Sequence, residues 1–120
     1  MAMIHYLYVG HFIPDDGFVR FEQMRPVAGR PLNTAALSDL LCQYIGNGNV
    51  DAIPTDWELS VTPGYIVCNR YGACSRALQF VADYAGREQA SIVDLGSFTL
   101  VSPEELTAEA DHLDRLQRER

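Results

Sequence analysis

Residues 56–68, Asp-Trp-Glu-Leu-Ser-Val-Thr-Pro-Gly-Tyr-Ile-Val-Cys, decide the fold of this chain. Trp57, Leu59 and Val61 alternate with Asp56, Glu58, Ser60 and Thr62. That period of two marks a strand with one face in a core and the other in water. Pro63-Gly64 supplies a turn, with one residue locked in φ and one free to take positive φ. Tyr65 to Cys68 reads as the returning strand. Strands joined by so short a turn are antiparallel, because a parallel pair needs a crossover of about a dozen residues or more.

Toward the N-terminus, Ile4, Tyr6, Tyr8 and Phe12 fall on one alternating set and Leu7 and Val9 on the other. A strand apolar on both faces belongs inside a sheet. Pro14-Asp15-Asp16-Gly17 is turn chemistry, and Phe18 to Met24 is expected to return as a second strand. Arg25 to Pro31 is a loop. Asn33 or Thr34 can then cap a helix whose Leu37, Leu40, Leu41, Tyr44 and Ile45 share one face, with Gly46 as its left-handed terminator.

Beyond Cys68, Tyr71, Cys74, Leu78, Val81, Tyr84 and Ala85 form a helical stripe that Gly86 should end. The helix starts either at an Asn69 cap or after Gly72. Ile92 to Val101 divides around Gly96-Ser97, which suits a type II′ hairpin; one longer strand bulged at Gly96 is the alternative. Ser102, Pro103 and Glu105 then announce a final helix by cap, first-turn proline and capping box, with Val101 and Leu106 placed as a staple. Its apolar stripe is thin: Leu106, Ala110, Leu113 and Leu116. Such a helix either docks lightly on its own domain or packs against another copy. The resulting order is ββαββαββα. It predicts a single α+β domain over residues 1–120, with a mostly antiparallel sheet and about three helices on one face.

Composition narrows the function classes. The net charge is −7 and all nine basic residues are Arg. Nucleic-acid binding normally shows as a basic surplus, so the balance points instead toward solubility or basic partners. The missing Lys is read as GC-rich codon usage. Three cysteines are too few and too odd in number for a disulfide framework, which points to a reducing, cytoplasmic setting of bacterial type. Ile4 to Ile13 lacks the basic flank and cleavage site of a signal peptide, and no run is long enough to span a membrane.

Residues 68–76, Cys-Asn-Arg-Tyr-Gly-Ala-Cys-Ser-Arg, hold the most reactive chemistry, between a strand and a helix. Amides at a helix start attract anions, and Arg70 or Arg76 would add charge and forked hydrogen bonds. A thiol at Cys68 or Cys74 would there have a lowered pKa. A phosphatase-type loop is excluded by counting, because the position that needs Arg is occupied by Cys74. The competing reading makes Cys68 a buried strand residue and Cys74 part of the helix's apolar face. His5, His11, Cys68 and Cys74 do not have the spacing of a metal site, so neither metal nor cofactor is expected. Arg20, Arg25 and Arg30 are a local basic cluster. Tyr and Trp on a half-covered sheet are a further candidate binding surface.

These readings favour a small acidic non-catalytic binding or regulatory protein that acts through a protein partner. The second is a small enzyme or anion- and ligand-binding domain built on Cys68, Arg70, Cys74 and Arg76. The third is a homo-oligomeric structural subunit, a homodimer paired through the last helix or an open sheet edge.

Overall fold

In the computed structural model, which describes residues 4–11, 32–53, 57–62, 64–71, 75–96 and 99–118, strand β1 (Ile4–Gly10) is the middle of a five-stranded sheet. Its doubly apolar sequence is the reason. Leu7 and Val9 are buried on one face and Tyr8 on the other. The remaining elements, in chain order, are α1 (Thr34–Ile45), β2 (Trp57–Val61), β3 (Tyr65–Tyr71), α2 (Ser75–Glu88), β4 (Ser91–Asp94), β5 (Thr99–Val101) and α3 (Pro103–Arg118). A short 3-10 turn, Val50–Ala52, follows α1.

The sheet order is β2-β3-β1-β4-β5 and every pairing is antiparallel. The fold is therefore the α+β class that the sequence predicts. The strand expected over 18–24 lies outside the described residues, as do the turn and loop on either side of it. Because β3 and β4 each run opposite to β1, they are parallel to one another, and α2 is the crossover that such a pair requires.

Register sorts the side chains. Leu7 and Val9 stand beside Cys68 and Ile66 of β3, and Leu59 and Val61 of β2 extend the same rows. On this face the helices deliver Leu37, Leu40 and Leu41 from α1, a nearly continuous set from Ala77 to Ala85 of α2, and Leu106 and Ala110 from α3. Phe80 is the hub. Its ring lies 5.4 Å from Trp57, 5.4 Å edge-on from Tyr44 and 6.4 Å from Tyr84. On the other face Tyr8 and Val93 are buried among Tyr65, Val67, Leu95 and Leu100, with Tyr8 stacked on Tyr65 at 4.8 Å.

Local grammar holds at several ends. The Asn33 side chain accepts from the Ala36 amide, and Gly46 takes φ 76° while its N–H reaches the Cys42 carbonyl. Ser102 Oγ accepts from the Glu105 amide at 3.1 Å. The Thr62 hydroxyl and amide both donate to the Tyr65 carbonyl, which closes the Pro63-Gly64 connection.

Three local expectations are corrected. Tyr71 belongs to β3 and not to the α2 stripe, and of the two starts open to that helix the one after Gly72 agrees with α2 at Ser75–Glu88 while the Asn69 cap does not. Strand β1 offers ladder partners as far as Tyr71, opposite Ile4, and Asn69 pairs with both Tyr6 and Glu58. Gly86 does not end α2. The helix continues to Glu88, and Gln89 takes the left-handed turn at φ 53°. A mid-helix Gly costs only about 1 kcal/mol, and the buried Tyr84 and Ala85 beside it hold the turn down. The 92–101 segment is a hairpin, but not through a type II′ glycine: among the described residues Gly46 is the one glycine with positive φ. Four residues separate the paired Asp94 and Thr99. The Asp94 carboxylate takes the Gly96 N–H at 2.8 Å, an Asx turn that needs no positive φ there.

Candidate binding groove

The strand-to-helix candidates do not converge. Cys68 sits on the helix-covered face of β3 with 1% of its surface exposed, between Leu7 and Leu59 in register. Solvent and solutes do not reach its sulfur. Arg70 belongs to β3, opposite His5 and Trp57. Cys74 lies outside the described residues. Arg76, exposed in the first turn of α2, donates from Nε to the Tyr44 carbonyl at 3.3 Å. That carbonyl is in the last turn of α1, where a helix presents its unsatisfied oxygens and attracts cations. Arg76 therefore fastens α1 to α2. His11 is buried at the end of β1. Among the described residues no group of three His, Cys, Asp or Glu side chains is arranged to hold a metal.

A concave surface lies elsewhere, where α2 and α3 meet the end of α1. Tyr44, Gln79, Ala82, Asp83, Pro103, Glu104, Thr107, Ala108 and Asp111 line an open groove of about 630 Å³. Helical spacing explains the membership. Residues 79, 82 and 83 are one stripe of α2, and residues 104, 107, 108 and 111 are one stripe of α3. Ala82 and Ala108 are small enough to leave a trough where larger side chains would fill the seam. Farther along, Ser75 Oγ donates to Asp114 Oδ1 at 2.6 Å, clasping the start of α2 to the end of α3.

Polar groups on the groove differ in how committed they are. Asp83 is engaged twice: Arg87 Nε is 3.0 Å from one oxygen, and the Tyr44 hydroxyl donates to the other at 3.4 Å. Burial, then the neighbouring Asp83 carboxylate, raises the Tyr44 phenol above its usual pKa, so it stays a neutral donor. Glu104 and Asp111 are exposed on α3. They are seven positions apart, two turns of helix or about 10 Å along the axis, so both project over the same side. Among the described residues the lining holds no thiol or imidazole. Its chemistry is that of a carbon-rich floor with carboxylates above it.

Sequence reasoning singled out none of these residues as a site. The signal in hand was the acidic start of α3, which reads equally well as dipole complementation. Only the docking of α3 on α2 turns Glu104 and Asp111 toward a trough. Comparison with known proteins adds no relative: no protein-family model matches the chain, and no curated protein matches it.

Proposed function

We propose that this is a small acidic, non-catalytic binding or regulatory protein that acts through a protein partner docked at the α2–α3 seam. The observation that carries this reading is an open groove with an apolar floor and acidic rim, on a chain of net charge −7. Such a surface attracts a basic partner over distance and offers it carbon to bury on arrival. The burial of Cys68 weighs against a thiol-based reaction at that residue.

The test is affinity capture from native lysate at low salt, with wild-type protein and the double variant Glu104→Gln/Asp111→Asn as baits. A single basic protein held stoichiometrically by wild type, and released as salt is raised through several tenths molar, is the expected result. Retention of nothing above background by wild type at low salt contradicts the reading.

A further inference from the structure

We infer that the groove receives a basic segment of the partner bearing two cationic side chains about 10 Å apart, one meeting Glu104 and the other Asp111. This deepens the reading above and rests on it. Three features of the groove select that occupant. Glu104 and Asp111 share one side of α3, while Asp83 is already taken by Arg87 and Tyr44. Two separated carboxylates, not one clustered centre, therefore face an incoming ligand.

Among the described residues no three acidic or other ligating side chains gather as a divalent ion requires. Ala82, Pro103 and Ala108 give the same groove apolar surface. An Arg or Lys stem lies well on such a surface while its charged end stays in water at the rim. A second copy of this chain fits poorly. Its net charge of −7 opposes self-association. The basic pair at the end of α3, Arg115 and Arg118, is only three residues apart, about 4.5 Å of helix.

Two helix-forming peptides of identical composition probe the geometry by fluorescence anisotropy at low salt. One carries its two arginines seven residues apart, on one face; the other carries them five apart, on opposing sides. Wild type is expected to bind the seven-residue spacing roughly ten-fold more tightly, and each of Glu104→Gln and Asp111→Asn to weaken it roughly three- to ten-fold. The double variant is expected to lose the preference while keeping its melting temperature within a few degrees. Equal affinity for both peptides, or an unchanged preference in the double variant, overturns the inference.

The two levels of the proposal fail differently. If both baits capture the same partner equally and the peptides show no preference, the groove assignment falls and partner binding stands. If the peptides discriminate but wild type captures nothing, the cation-reading groove stands and the protein-partner reading falls.

Discussion

Helices α2 and α3 lie side by side, yet the chain uses them in opposite ways. The fourteen residues of α2 bury seven side chains, Ala77, Leu78, Phe80, Val81, Ala82, Tyr84 and Ala85. The sixteen residues of α3 bury two, Leu106 and Ala110. One helix is the crossover between parallel strands and has the sheet beneath it. The other is attached along a single stripe, and most of its surface is left facing water. The α2 sequence is thus constrained by packing almost everywhere, whereas that of α3 is free to carry charge. The groove forms where the two regimes meet, with a floor drawn from both helices and its uncommitted carboxylates from the lightly attached one.

The largest expected effect divides the two helices directly. Phe80→Ala empties the aromatic hub and is expected to cost about 3–5 kcal/mol, enough to unfold a marginal domain of this size. Leu106→Ala is expected nearer 2 kcal/mol, because Leu106, though buried, sits on a helix with only one other buried side chain, so its site can relax. Denaturant unfolding of both variants makes the comparison. Comparable losses would mean that α3 is as integral as α2, and the division between scaffold and surface would not hold.

A second expectation concerns pH and extends the contrast to the far side of the sheet. Burial, then the charge of Tyr65, pushes the Tyr8 phenol up to about 12 from an ordinary 10.0. Tyr44 and Tyr84, on the helix side, are also raised, in both cases chiefly by burial. Raised phenols favour the neutral form in the folded state. The Tyr8 contribution is therefore complete below pH 10 and is lost as pH climbs through about 12, and the raised Tyr44 and Tyr84 act in the same direction. Stability measured against pH should hold flat to about 10 and then fall. Tyr8→Phe should shallow that fall without steepening any loss at neutral pH.

The smallest effect is a gain. Gly86 sits inside α2, is exposed, and a Cβ there meets nothing within 4 Å. Gly86→Ala is expected to stabilise by about 0.5–1 kcal/mol, read as a rise in the thermal midpoint. A loss instead would show that the α2 backbone at this point needs more freedom than its helical geometry implies.

Much of the scaffold is legible in the residues. The alternation of Trp57, Leu59 and Val61 and the doubly apolar β1 place two strands correctly, and Asn33, Gly46 and Ser102 mark helix ends by chemistry that acts within a few residues. The misplacements share a cause. Local helix grammar alone leaves Asn69 a possible cap and puts Tyr71 on the helical stripe, but the sheet ladder decides both. At Gly86 intrinsic propensity favours a helix end, and packing outweighs it. The site was hidden for a related reason. A groove belongs to no single segment, and Ala82 and Ala108, 26 positions apart in sequence, acquire meaning only when their two helices dock together. The 68–76 segment drew attention because its residue types are reactive, but type alone does not report exposure, and Cys68 is interior.

The most direct test is to map the captured partner on isotope-labelled protein by chemical-shift perturbation. The expected footprint falls on residues 79–83 of α2, 103–111 of α3 and Tyr44 at the end of α1. Perturbations centred instead on Tyr6, Tyr65 and Val67, with the two helices unmoved, would place the partner on the opposite face and contradict the account.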